Sequence, residues 1–163
     1  MTAYLDKISS LEKAGQNCEA LKKSGKRIVF TNGCFDILHP GHARYLSSAK
    51  ALGDYLIVAL NSDRSVRAIK GSKRPIFPEK MRAELLAALE CIDCVVIFEE
   101  DNPLRVIEHL LPHILVKGGD WQEDQIVGAD IVKGAGGQVK RIPFVTGYST
   151  SEIINTILNR YAR

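Results

Sequence analysis

Five short runs rich in β-branched and aromatic residues recur along this 163-residue chain: RIVF (27–30), YLIVAL (55–60), VVIF (95–98), HILV (113–116) and QVKRIPF (138–144). Between them lie stretches whose apolar side chains recur at helical spacing. Near-continuous apolar strands belong to sheets covered on both faces, and regular alternation with helices makes the strands parallel. The expected fold is therefore α/β, a doubly wound parallel sheet of five buried strands.

The intervening segments carry helix signals. Residues 4–24 show helical spacing interrupted at Gly15 and end in Lys, Lys, Ser and Gly, which predicts an N-terminal helical extension over 1–25 ahead of a domain over 26–163. From Gly41, Ala43, Leu46, Ala49 and Leu52 define an apolar helix face, with Gly53 as its C′ residue. Asn61, Ser62 or Asp63 can cap the next helix, PEKMRAELLAALECID forms another, Pro103 opens a further one, and Ser149 or Thr150 caps the last.

Composition narrows the function classes. A formal charge of +3 is too small for a duplex-binding surface, so no nucleic-acid partner is expected. The chain lacks the roughly 18 consecutive apolar residues of a membrane span, and MTAYLDKISS lacks a signal-peptide core. A cytoplasmic protein without a membrane partner is the expectation. Cys18, Cys34, Cys91 and Cys94 are too few for a disulfide framework; CIDC has redox or zinc spacing, but no second pair completes a metal site, so these read as structural thiols.

In doubly wound sheets ligands bind beyond the carboxyl ends of the strands. Four polar clusters fall there: TNGCFD (31–36), NSD (61–63), KGGD (117–120) and TGYSTS (146–151). The first runs into HPGH, which sets His39 and His42 three residues apart at a helix start. A helix N-terminus offers free N–H groups and the positive end of its dipole, both suited to phosphate. Gly33 and Gly41 bring backbone within reach of a polyphosphate, and two imidazoles can stabilise charge developing on phosphoryl oxygens. His109 and His113 have zinc-helix spacing, but Pro112 between them breaks the geometry and marks them as structural.

GCFDILHPGH, together with VALNSD, LAALECID, LVKGGDW and STSEII, resembles the H-x-G-H nucleotidyltransferase superfamily related to class I aminoacyl-tRNA synthetases. Within it, the set is similar to the heptose 1-phosphate adenylyltransferase domains of ADP-heptose synthesis, over about Lys26 to Ile157. The resemblance implies a Rossmann-like fold and transfer of AMP from ATP to D-glycero-β-D-manno-heptose 1-phosphate, giving ADP-heptose and pyrophosphate for lipopolysaccharide core synthesis. Mg²⁺ would accompany the ATP; its protein ligands stay unknown. The alternatives are a cytidylyltransferase acting on glycerol 3-phosphate or a related acceptor, and a non-catalytic nucleotide-binding module.

Carried over by motif, His39 and His42 contact the triphosphate and stabilise the transition state, with Lys70 and Arg82 as further catalytic cations. The nucleotide set comprises Thr31, Asn32, Gly33, Cys34 and Phe35 after the first strand, Lys117, Gly118, Gly119 and Asp120 after the fourth, and Ser149, Thr150 and Ser151 at the last helix. Ser151 stands where the family has a second Thr. On the acceptor side are Lys70 and Arg74 of the basic loop, with Asn61 and Asp63 as sugar contacts or helix caps. Asp36 has three open roles: orienting the loop, touching the acceptor or contacting the metal. Many relatives are fused to a sugar kinase; here a separate heptose kinase is expected upstream. A homodimer is expected from frequency alone.

Overall fold

The computed structural model describes residues 3–119, 122, 125–143 and 147–161. Its strands are β1 (Ile28–Gly33), β2 (Tyr55–Asn61), β3 (Cys94–Phe98), β4 (Ile114–Gly118) and β5 (Gln138–Ile142). They form one sheet in the order β3-β2-β1-β4-β5, and every pairing is parallel. The chain winds outward from β1 to β3, then crosses back to β4. The strand order thus reverses between β1 and β4, and there the carboxyl ends open a crevice.

Helices α1 (Leu11–Lys23), α2 (Pro40–Lys50), α3 (Asp63–Lys70), α4 (Glu79–Ala87), α5 (Leu104–Leu110), α6 (Ala129–Gly134) and α7 (Thr150–Tyr161) complete the chain, with a 3₁₀ turn at Ala3–Lys7. Successive strand residues point to opposite faces, so each strand feeds two cores. Ile28, Phe30, Ile57 and Val96 pack with Ala14 and Cys18 of α1 and with Ile107 and Leu110 of α5. On the other face Val29, Leu56, Val58 and Val95 pack with Leu46 and Ala49 of α2 and with Leu86 and Ala87 of α4. The Rossmann-like, doubly wound parallel sheet read from the sequence is the architecture found.

Several local expectations are corrected. The N-terminal helical stretch breaks at Ile8–Ser10, where Ile8 bridges Val95 and Ser10 caps α1, and not at Gly15. Gly15 lies buried inside α1, because a Cβ there would stand 2.5 Å from His109 Nε2. Gly53 has no left-handed backbone; it is glycine because a Cβ would meet the Arg27 carbonyl oxygen at 2.8 Å. On α2 the inner face runs through Tyr45, Leu46 and Ala49, while Ala43 is exposed. Finally, β5 is an edge strand with Gln138, Lys140 and Arg141 exposed, so only four strands are buried.

The two His outside the motif serve the scaffold. His113 Nδ1 accepts the Ile28 N–H at 3.0 Å and fixes the start of β1, and His109 packs beside Gly15. All four cysteines are free thiols. Burial pushes Cys18 up to about 11 and Cys94 up to about 12, which leaves both unreactive at neutral pH. No helix among the described residues is long and apolar enough to cross a membrane.

Candidate functional site

β1 delivers its last residues into a tight turn in which Phe35 (φ 44) and Ile37 (φ 51) both take left-handed backbone. That turn carries the chain to His39, an extended residue whose Nδ1 accepts the His42 N–H at 3.4 Å and so caps α2, with Pro40 opening the helix. The cap folds the two imidazoles together. Their centroids lie 3.7 Å apart at 21°, and Phe35 packs edge-on against His42 at 5.4 Å.

Burial lowers the pKa of both rings. Burial, then the neighbouring His39, bring the His42 pKa down to about 4, and burial lowers His39 against the opposing pull of Glu152. His42 Nδ1 is buried with no hydrogen-bond partner among the described residues. The room at Gly41 is taken by protein: a Cβ there would sit 3.0 Å from the His39 ring and 3.2 Å from Tyr148 Cβ. At Gly33 it would meet the Phe35 ring at 2.9 Å. Both glycines thus let neighbouring side chains pack close to the backbone.

Asp36 is the junction of the site, and its carboxylate has no exposed surface. It accepts hydrogen bonds from Arg74 Nε (2.7 Å), Ile76 N (2.8 Å) and Phe77 N (2.9 Å), while its carbonyl accepts the Thr150 hydroxyl (2.7 Å). Burial works to raise the Asp36 pKa, but the Phe77 and Ile76 amides and Arg74 together outweigh it, and the net direction is down. Of its three open roles, loop orientation is the one these contacts perform. One residue ties the motif loop and the basic loop through its carboxylate and the start of α7 through its carbonyl.

Arg82 is buried completely. Its guanidinium donates to the carbonyls of Phe77 (2.9 Å), Cys34 (2.6 Å) and Asn61 (2.9 Å) and to Asp63 Oδ1 (2.7 Å). Asp63 therefore faces Arg82, while Asn61 Nδ2 donates to Ser65 Oγ, and Ser62 is the residue that caps α3. Both candidate sugar contacts are engaged inside the protein. Lys70 is exposed at the end of α3, and with Arg82 and Arg74 its charge opposes the upward push of burial on the Cys34 thiol.

On the β4 side, Lys117 Nζ donates to Asn32 Oδ1 at 2.9 Å, bridging the crevice between the two central strands; burial lowers the Lys117 pKa. Gly118 ends β4, and Gly119 (φ 89) is buried with its N–H on the Ile142 carbonyl. Asp120 lies outside the described residues. Thr31 is turned away from the crevice, its hydroxyl 2.6 Å from Tyr45 OH. At α7, Ser149 Oγ accepts the Glu152 N–H at 3.1 Å and donates to Glu152 Oε2 at 3.0 Å, so Ser149 is the cap, and Ser151 is exposed.

Three contributors were missed in the sequence. Tyr45, which braces Thr31, was signalled only by a polar-tipped aromatic three residues after His42. Tyr148 lies nearly parallel to His39 (16°, centroids 6.5 Å apart), and Arg44 stands 5.5 Å over its ring. A groove of about 240 Å³ lined by Tyr148, Ser149, Glu152 and Ile153 opens beside them. Among the described residues, no group of three or more His, Cys, Asp or Glu could hold a metal ion.

A parallel sheet with paired imidazoles on a helix start at its reversal point, flanked by a basic loop and a hydroxyl-capped helix, defines the class of nucleotidyltransferases. Residues 30–156 match the family described as Cytidylyltransferase-like, and the chain belongs to it. It is 56% identical over 155 residues to the "Bifunctional protein HldE" of Geobacter metallireducens, covering 95% of this chain and 32% of that protein. Identity to the protein of the same name from Helicobacter pylori is 53%, over 93% of this chain and 31% of the relative. The chain thus spans about a third of the length of these relatives.

Among solved structures, the lipopolysaccharide core biosynthesis protein of Thermoplasma volcanium is similar with a TM-score of 0.59 and 30% identity, over 77% of this chain and all of that one. Pantoate-beta-alanine ligase of Francisella tularensis shares the fold with a TM-score of 0.62, covering 96% of this chain and 79% of that one at 15% identity.

Proposed function

We propose that this chain transfers the adenylyl group of ATP to D-glycero-β-D-manno-heptose 1-phosphate, giving ADP-heptose and pyrophosphate for lipopolysaccharide core synthesis. The reading rests on the His39–His42 stack at the start of α2, joined through Asp36 to the basic loop and to α7. The names of the HldE relatives and of the Thermoplasma protein agree with it.

In this reaction an oxygen of the acceptor phosphate attacks the α-phosphorus in line. The bond to the bridging oxygen breaks, and its electron pair leaves with pyrophosphate. No covalent enzyme intermediate is needed, so the protein's task is alignment and charge neutralisation. Neutral His39 and His42 each donate one N–H toward phosphoryl oxygens, where a donor counts most as charge moves onto the leaving group. The N–H groups of the turn after Gly33 and of the start of α7 hold phosphate on either side. Lys70 and Arg74 neutralise the β and γ phosphates and the acceptor phosphate, and Lys117, Asn32 and Gly118 line the nucleotide side.

The described residues form no protein cage for Mg²⁺, since the Asp36 carboxylate already accepts three N–H donors and Asp63 is held by Arg82. The ion fits as a companion of the ATP phosphates, held through phosphate oxygens and water. We place the enzyme in the cytoplasm as a homodimer, with residues 1–25 an extension of the 26–163 domain and a heptose kinase supplying its acceptor. Incubation with ATP, Mg²⁺ and heptose 1-phosphate should release pyrophosphate and form ADP-heptose; turnover no faster than that of H39A would refute the assignment.

A further inference from the structure

The family pattern sends Arg82 to a phosphate, but the side chain has no exposed surface, and its Nε, Nη1 and Nη2 all donate within the protein. The four acceptors belong to four segments. Phe77 ends the basic loop, Cys34 sits in the turn that leads to the His pair, Asn61 ends β2, and Asp63 begins α3, whose last residue is Lys70. A phosphate reaching this guanidinium would have to displace the Asp63 carboxylate, 2.7 Å away, and leave that anion short of its partner.

We propose that Arg82 is a positioning residue: it fixes the distance between the turn that carries His39 and His42 and the α3–basic loop unit that carries Lys70 and Arg74, and it does so through Asp63 and three backbone carbonyls. The inference rests on the adenylyltransferase reading. In-line transfer needs the nucleotide and the acceptor phosphate held at one separation: in that reading the turn holds the triphosphate, and the unit with Lys70 and Arg74 reaches both the triphosphate and the acceptor phosphate. Each unit keeps its own binding groups when Arg82 is altered. Asp36 still joins the turn to Arg74, Ile76 and Phe77; what is lost is the placement of the β2 end and α3, with Lys70, against that pair, so the alignment of bound reactants suffers and the capture of each does not.

The expected result follows from that division. R82K and D63N should each lower kcat by about 100-fold, the scale of an ångström-size misplacement. KM for ATP and for the sugar phosphate should stay within about threefold, because ground-state binding is untouched. The double variant R82K/D63N should be no worse than the weaker single one, since both break one connection. D63N, a change at a partly exposed carboxylate, keeps the test available if R82K does not fold.

A direct phosphate contact gives the opposite pattern: D63N frees the guanidinium and leaves or raises activity, while R82K raises KM for one substrate. Either result overturns the inference. So does an unchanged kcat per molecule able to bind a non-hydrolysable ATP analogue, the outcome of a purely structural role. Failure of the underlying reading shows elsewhere, as an absence of pyrophosphate release by the unsubstituted protein.

Discussion

The carboxylate of Asp36 and the guanidinium of Arg74 meet at 2.7 Å, with the carboxylate wholly enclosed and the guanidinium only partly so. The pair holds the basic loop against the turn after β1, and the Ile76 and Phe77 amides share the same carboxylate. Replacing Asp36 with Asn keeps the shape and removes the charge. D36N should lose about 2 kcal/mol or more, the scale of hydrogen bonds to a charged group, as measured by urea unfolding at pH 7.

That carboxylate also fixes a pH dependence. Its pKa is held below the ordinary 3.8, so its stabilisation is complete above that value and is lost as pH falls through the lower folded-state value. The unsubstituted protein should therefore lose stability more steeply below pH 3.8 than D36N. Equal acid slopes would contradict the contacts assigned to Asp36.

His42 acts in a separate window. Its folded pKa is brought down to about 4 from 6.5, chiefly by burial, so between these values the unfolded chain takes up the proton that the folded protein refuses. Stability rises with pH there, and it should decline as pH drops from 6.5 toward 4. H42N, which cannot titrate, should make this limb shallower in melting curves, with the remainder carried by His39 and His113, whose pKa values burial also lowers, and should leave the lower limb of Asp36 in place.

Much of the fold was legible because four of the five strands are apolar on both faces, which only a covered parallel sheet explains. β5 differs because only Val139 and Ile142 are half-buried, one on each face, while Gln138, Lys140 and Arg141 stay in solvent, as an edge strand allows. The polar clusters did mark the crevice. What spacing could not reveal is which polar side chains turn inward: Thr31, Asn61, Asp63 and Arg82 all end on protein partners, and that choice is made by contacts between segments up to 48 residues apart.

Tyr45 tests one of those hidden contacts. Its hydroxyl lies 2.6 Å from Thr31 Oγ1 beneath the site. Y45F should cost about 1 kcal/mol, the net value of a typical buried hydrogen bond, and lower the melting temperature by several degrees. No change would mean that the pair does not brace α2 on β1.

Gly53 tests the packing that seats the end of α2. A Cβ there meets Val29 Cγ2 at 2.7 Å and the Arg27 carbonyl at 2.8 Å, and a backbone atom cannot rotate aside. G53A should destabilise by about 1–3 kcal/mol despite the usual advantage of Ala over Gly, as chemical denaturation would show.

The reaction assigned to the His39–His42 crevice is adenylyl transfer to a sugar phosphate. The most direct measurement is pyrophosphate release with ADP-sugar formation across ATP and CTP, each offered with heptose 1-phosphate and with glycerol 3-phosphate in the presence of Mg²⁺. The expected result is turnover with ATP and heptose 1-phosphate, abolished in H39A. Preferred turnover of CTP with glycerol 3-phosphate, or ATP binding without pyrophosphate release for any acceptor, would contradict it.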